Sequence, residues 1–521
     1  MCVDAAGSTP DRVDMRLVPA ALTCWAVTAM AIVWRAGALV AGVCVLVGVC
    51  AIAVRSRARR RDEPLRATVC AVVLGAAVVG AGFAWATAVR VDALERHPVT
   101  GLYGRSAVVT VAADEQPRLL RDGRRVIFRA GLRRIGADEI SGRVTVFAPA
   151  AGYAELITGQ PVSFRAVIAR PTRRDLSVAT LTATGTPTSG DASAVQRAAQ
   201  SVRRSFADAA RAQLPPDQAA ALPALVLGDT STLTPQTVAE FRAAGLSHLT
   251  AVSGANVTIV CGAVLLSARL VGPRAAVLLA ALALVSFAVV VQPSASVLRA
   301  AVMGAIALLG VVTHRRRHAM PALAATVIVL MIVAPEMAVD LGFALSVSAT
   351  AALIVIAPAW SRRLVAAGWP KPLADVLCVA TAAQLVTAPL IAAISGQFSV
   401  VSIAANVAAT VVIPPITVVG TVAAALAPVW PGGAHLLVRF TGPELWWLLG
   451  VAHWTGGIAG ATVTVPSRLL GFLVVAACGI GSVLLWSRLR SRRWARLTFA
   501  CALLAATAWV VVSVGHGTIV G

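Results

Sequence analysis

The sequence predicts a polytopic α-helical membrane protein of about 13 spans with a small extracytoplasmic β-barrel inserted after the third span. Three observations carry this reading. Of the 521 residues, 58% are hydrophobic and 13% charged, and mean hydropathy is +0.81. Soluble domains sit near 45–50% apolar and about 25% charged. Apolar runs of roughly 20 residues, enough to cross about 30 Å of hydrocarbon, recur along most of the chain. Between the third and fourth of them the pattern changes to period-two alternation broken by Gly, Pro and Asp.

The first three runs cover residues 17–34, 36–54 and 67–89. The loop at 55–66 holds Arg55, Arg57, Arg59, Arg60, Arg61 and Arg66. Such clusters stay in the cytoplasm, so the N-terminus is expected inside and the segment after the third run outside. The formal charge is +22, and Lys371 is the single lysine. Arginine suits bidentate phosphate contacts, but an Ala-, Val- and Arg-rich chain also follows from biased codon usage. The charge therefore informs topology first.

The inserted segment shows alternation at 107–112, 125–130, 143–148, 161–169 and 177–184, with turn signals such as Asp122-Gly123 and Ser141-Gly142 between them. Five short strands fit an OB-like barrel. Arg124, Arg125, Arg129, Arg165, Arg173 and Arg174 would decorate it. OB barrels bind single strands through a basic groove with aromatic platforms. The aromatics here are few (Tyr103, Phe128, Phe147, Tyr153, Phe164), and several alternate toward the core. These arginines are thus read either as a nucleic-acid surface or as a solvated face.

An amphipathic helix is expected at 193–213, with Val195, Ala199, Val202 and Phe206 on one side and Arg197, Arg203 and Arg204 interleaved. Pro215-Pro216 should stop it. Further spans are expected at 251–271, 275–291, 295–313, 321–334, 341–359, 374–395, 399–428, 442–463, 468–486 and 498–514. Basic loops alternate with the acidic loop of Glu336 and Asp340, which puts the C-terminus outside. The stretch 399–463 is ambiguous, because Pro414-Pro415 and Gly432-Gly433 either break helices or make a re-entrant turn; charge parity asks for an even number of crossings there. Four regions result: a three-span segment at 1–90, the β-domain at 91–190, the amphipathic helix at 191–217 and a polytopic domain at 218–521.

The most informative stretch is Gly245-Leu-Ser-His-Leu-Thr-Ala-Val-Ser-Gly-Ala-Asn-Val257. It brings His248, Ser253 and Asn256 to the point where a loop runs into an apolar helix. Polar groups entering hydrocarbon are costly, so they are either satisfied by other helices or line a path. This stretch resembles the signature of the ComEC-type competence family, inner-membrane channels for single-stranded DNA. The resemblance extends from about residue 221 almost to the C-terminus, through Ala224-Leu-Val-Leu-Gly-Asp229, Ser296-Val-Leu-Arg-Ala300, Gly342-Phe-Ala-Leu-Ser346, Ala383-Gln-Leu-Val-Thr387 and Gln397-Phe-Ser-Val-Val-Ser-Ile-Ala-Ala-Asn406. Where the family commonly has Ser-Gly-x-His, this chain has Asn256. Asn hydrogen-bonds as His does but takes no proton near neutral pH.

The resemblance implies a channel path lined in part by His248, Ser253, Asn256, Arg299, Gln384 and Asn406. It implies partners as well: single-stranded DNA, a DNA receptor, a cytoplasmic ATPase motor, a separate nuclease, and membrane lipids, with oligomeric state left open. Full-length relatives often carry a metallo-β-lactamase-like domain. The seven histidines here form no His-x-His-x-Asp-His cluster, so a short form without that domain is expected. No Walker loop occurs. No cofactor, metal or enzymatic activity is expected. Taken singly, each polar residue also fits helix-packing glue. A transporter of a smaller solute or lipid-linked precursor, or a membrane scaffold without transport, remains the alternative.

Overall fold

The structure is a computed structural model, and it describes residues 14–120, 122–250, 252, 254–267, 272–291, 295–312 and 319–489. Three helices open the chain, α1 (Val18–Trp34), α2 (Gly37–Arg60) and α3 (Pro64–Glu95). Six strands follow: β1 (Ser106–Ala113), β2 (Arg118–Leu119), β3 (Arg125–Ile135), β4 (Asp138–Pro149), β5 (Pro161–Ala169) and β6 (Ala179–Ser189), with a short turn α4 (Ala150–Tyr153) before β5. Next come α5 (Ala194–Gln213), α6 (Pro216–Leu227), α7 (Pro235–Ala243), α8 (Gly254–Ser267), α9 (Pro273–Val291), α10 (Ala295–Val312), α11 (Ala319–Val333), α12 (Leu341–Ala366) and α13 (Lys371–Ser395). The last described elements are β7 (Gln397–Ser399), α14 (Ser402–Thr410), α15 (Ile413–Leu426), α16 (Pro431–Phe440), α17 (Gly442–Gly456), β8 (Thr462–Thr464) and α18 (Arg468–Leu489).

Contacts divide these into two compact units. One comprises Met1–Ala192 with Ala305–Ala344, the other Ser193–Gly304 with Leu345–Gly521. The stretch 305–344 therefore groups with the N-terminal half, apart from the rest of the expected 218–521 region. The physical reason is that α11 and the turn after it pack on α1. There Trp25 donates its indole N–H to the Ala338 carbonyl at 3.0 Å and meets Phe343 edge-on at 5.3 Å.

In the first unit the five longer strands close a barrel in the order β1-β5-β6-β4-β3, with β3 returning to β1. All joints are antiparallel except β4 with β6. This is the five-stranded closed barrel that the alternation predicts. Its core is Val109, Val111, Phe128, Val146, Phe164, Ile168 and Leu181, all essentially buried. β3 and β4 run past their expected ends as one hairpin. A register shift between Leu132 and Arg134 turns Arg133 and Arg134 outward together, which ends the period-two alternation there. The two-residue β2 adds to the edge of β3 and was not anticipated.

The second unit begins with α5, one residue inside its expected start. Ser193 caps it, accepting from the Gln196 backbone while the Gln196 side chain accepts from the Ser193 N–H. The two prolines do more than stop the helix: Pro215 is the N-cap of α6 and Pro216 its first residue.

Among the described residues, six helices are long and apolar enough to cross a membrane: Gly37–Arg60, Pro64–Leu102, Arg274–Val291, Leu341–Ala366, Lys371–Ser395 and Arg468–Leu485. The pair α14–α15 makes a seventh only if its 54° bend is counted as one span. Four further apolar helices are shorter, at Val18–Trp34, Asn256–Ser267, Ala295–Gly310 and Ala319–Val333. The protein is therefore a multi-pass membrane protein. The expected span at 442–463 is instead the short α17 followed by the strand β8. The one expected at 498–514 lies outside the described residues.

Candidate functional site

Gly245, the first residue of the motif, has φ +73°, which glycine adopts without strain. Its position also demands glycine sterically, because a Cβ there would collide with the Ser402 side chain. Ser402 is 2% exposed at the start of α14 and is the centre of a polar chain. Its Oγ donates to Gln384 Oε1 at 3.0 Å. Asn406, one turn on, donates to the Ser402 carbonyl at 2.8 Å and to its Oγ at 3.2 Å. Beside it, Ser399 Oγ donates to the Ala243 carbonyl at 2.6 Å, tying the chain to the end of α7. Gln384 and Asn406, proposed from the sequence as separate path residues, thus meet through a serine that the reading did not single out. The signal was present as a Ser–Asn pair four apart on one helix face.

The other end of the motif meets Arg299. This arginine lies one turn inside α10 and is 6% exposed. Its Nε donates to Ser346 Oγ at 2.8 Å, and Ser296 Oγ donates to the same hydroxyl at 3.3 Å. A Cβ on Gly254 would stand 2.7 Å from Nη2 of Arg299, so the glycine opening α8 makes room for the guanidinium. Among the described residues no carboxylate lies within salt-bridge distance of it. Asn256, 5% exposed, donates to the Leu225 carbonyl at 3.0 Å, joining α8 to α6. His248 lies on the exposed 3-10 turn Ser247–Leu249, and Ser253 falls outside the described residues.

A second buried arginine was not foreseen. Arg203 of α5, expected on the polar face, is 7% exposed and donates through Nε to the Val290 carbonyl at 2.6 Å, in the last turn of α9. Burial pulls its pKa down to about 10, with Asp229 opposing, so it stays charged at neutral pH. On α7, Glu240 meets His453 Nδ1 at 3.0 Å and accepts from Gln236 at 3.0 Å. Burial raises its pKa, but these hydrogen bonds outweigh burial and leave it below the usual carboxylate range.

The six barrel arginines are all exposed, yet three of them have structural work. Arg125 pairs with Asp122 at 2.7 Å, Arg129 with Asp340 at 3.5 Å, and Arg174 donates to the Val33 carbonyl at 2.9 Å. Arg143 pairs with Glu336, so the barrel is tied twice to the turn Pro335–Val339 and its C-cap Asp340. Asp114 sits in this cluster, and its pKa is raised by burial, with Arg143 pulling the other way. A shallow cleft of about 350 Å³ floored by His97, Arg143 and Glu336 lies beside it. Arg124, Arg165 and Arg173 project from the barrel without such ties among the described residues.

A β-barrel inserted in a multi-pass helical protein, with Asn256, Arg299 and Ser402 buried in or against the stretch 245–257, defines a membrane protein with a few polar groups held at helix contacts. The sequence profile of the competence protein family matches residues 225–512, more than half of the chain. The protein belongs to that family, and the motif and both polar clusters fall within the matched region. It is also 26% identical over 209 residues to ComE operon protein 3 of Bacillus subtilis (strain 168), a match that takes in 40% of this chain and 26% of that protein. The chain thus corresponds to well under two thirds of that relative's length. No solved structure matches it.

Proposed function

We propose that this protein serves DNA uptake in competence, passing DNA as a single strand across the cytoplasmic membrane. The observation that carries the reading is the family match over 225–512, supported by the likeness to a ComE operon protein. The polar clusters give the reading a physical basis. A phosphodiester chain crossing hydrocarbon needs hydrogen-bond donors and cations in a wet path. Arg299, Asn256 and the Gln384–Ser402–Asn406 chain are buried or half-buried groups of this kind on adjoining helices. Ser253 and His248 flank them in sequence. The exposed Arg124, Arg165 and Arg173 suit initial contact with DNA phosphates on the outer face, to which the arginine-rich loop at 55–66 assigns the barrel.

In this reading the chain is a conduit and does no chemistry. A receptor delivers DNA, an ATPase motor supplies the work, and a separate nuclease removes the other strand. The test is uptake of labelled DNA by a deletion strain of a competent host, complemented with wild type or with Asn256→Leu plus Arg299→Leu. Loss of protected intracellular DNA on deletion, restored by wild type and not by the inserted double variant, is expected. Intact uptake in the deletion strain would refute the proposal.

A further inference from the structure

The region between α13 and α18 shows how the chain is threaded. β7 follows α13 directly and β8 precedes α18 by a few residues, and the two strands pair antiparallel, Gln397 with Thr464 and Ser399 with Thr462. Flanking bonds extend the pairing: Val400 N–H donates to the Ala461 carbonyl and Val465 N–H to that of Gly396, both at 2.9 Å. α13 and α18 also pack on each other. The end of one membrane helix and the start of the next therefore lie on one face, and everything from 397 to 464 leaves and returns there.

Taken singly, none of the intervening helices is long enough to cross, and only α14 and α15 together have the length. α14, α15, α16 and α17 have 9, 14, 10 and 15 residues. At about 1.5 Å per residue even the longest reaches only about 22 Å, short of the roughly 30 Å of hydrocarbon. α17 also carries Glu444 in its first turn and His453 in its last. α14 and α15 are bent by 54° where Pro414 and Pro415 begin the second helix. The backbone at that bend is satisfied within the chain, Val412 N–H donating to Ala409 and Ile416 N–H to Val412, as membrane depth requires.

The far end of this region packs back on helices of the same unit. Arg203 fastens α5 to the end of α9, and α5 packs on both α15 and α16. Leu214 and Gln218, just beyond α5, border Gly442 at the start of α17.

We infer that residues 397–464 form a re-entrant insertion with no net or complete crossing, in which α14–α15 dips into the membrane and turns back, and β7–β8 staples its two ends. Ser402 and Asn406 then ride on the descending limb. The inference does not depend on what the protein transports.

Single cysteines at the exposed positions Gln397, Gly432, Ser467 and Ala367, in a full-length chain with its native cysteines replaced, test it. Impermeant maleimide is applied to spheroplasts and to lysed membranes. Gln397→Cys, Gly432→Cys and Ser467→Cys should label alike in spheroplasts, and Ala367→Cys, at the other end of α13, only after lysis, or the reverse for all four. A protease site inserted after Gly432 reads that position independently. Gly432 behaving like Ala367 would mean two crossings and overturn the inference. The double variant Gln397→Cys plus Thr464→Cys should cross-link on oxidation, since paired strands hold Cα atoms at about 4.5–5.5 Å. Two accessible but uncrosslinked cysteines would remove the staple and the inference with it.

Discussion

Arginine is treated in opposite ways in the barrel unit and in the helical unit. On the barrel it stays in water, and where it has a partner the partner is usually a carboxylate, as in Arg125–Asp122 and Arg143–Glu336. In the helical unit Arg203 and Arg299 are buried; Arg203 donates to a carbonyl, and Arg299 to the Ser346 hydroxyl and the Met303 thioether. The barrel pairs are worth little to stability, because solvent screens them. A buried guanidinium is costly unless dipoles replace its water, so the second unit invests carbonyls and serines in two cations. The difference teaches that water solvates the barrel's charges, whereas dipoles of neighbouring helices hold the buried ones.

The largest expected effect on stability contrasts barrel core with barrel surface. Phe128→Ala should cost about 3–5 kcal/mol, and Arg165→Ala should stay within about 0.5 kcal/mol, as read by proteolysis of the membrane-inserted protein in rising urea. Equal effects would mean that the core described here does not hold the barrel.

Glycine sharpens the comparison next. Gly245 and Gly123 both have positive φ, but a Cβ meets Ser402 at the first and open space at the second. Gly245→Ala should lose clearly more than the roughly 1–2 kcal/mol that positive φ alone costs Gly123→Ala. Similar losses would show that backbone strain, and no contact with Ser402, explains the motif's glycine.

Ion pairs should matter less. Glu336→Gln is expected to cost no more than about 1 kcal/mol, and the cost should shrink in high salt, measured by protease release of the barrel at two ionic strengths. Salt-independent loss would argue for a buried, unscreened tie.

The smallest effects are in pH, and their signs differ between the units. Glu240 has a lowered pKa, so its stabilisation is present above its unfolded value near 4.3 and is lost as pH falls through the folded value. Asp114 has a raised pKa, so its contribution is full below its unfolded value near 3.9 and is lost as pH rises through the folded value. Unfolding followed between about pH 3 and 6 should therefore show opposite changes in slope for Glu240→Gln and Asp114→Asn. Parallel changes would refute the assigned environments.

The two units were also unequally legible. The barrel's strands appear in the sequence because one face of each is wet, so Val162, Phe164, Ala166 and Ile168 alternate with outward residues. The bulge at Arg133 and the brief β2 escaped because they interrupt that period. The amphipathic α5 was found for the same reason, yet Arg203 was placed on the wrong side: helix periodicity does not tell a polar face from a charge that bonds another helix's carbonyl. Membrane helices offer no alternation, since lipid and protein neighbours are both apolar. Long runs such as α13 were therefore found, and the broken stretch between α13 and α18 was not resolved.

By itself the sequence determined the membrane class, the five strands, the capped α5 and the motif at 245–257, because each depends on local composition or period. Tertiary structure alone decided that Gly245 and Gly254 are spaces for Ser402 and Arg299, that Ser402 links Gln384 with Asn406, and that 397 and 464 stand side by side. Those are contacts between residues far apart in the chain, made by packing in three dimensions, and no local period encodes them.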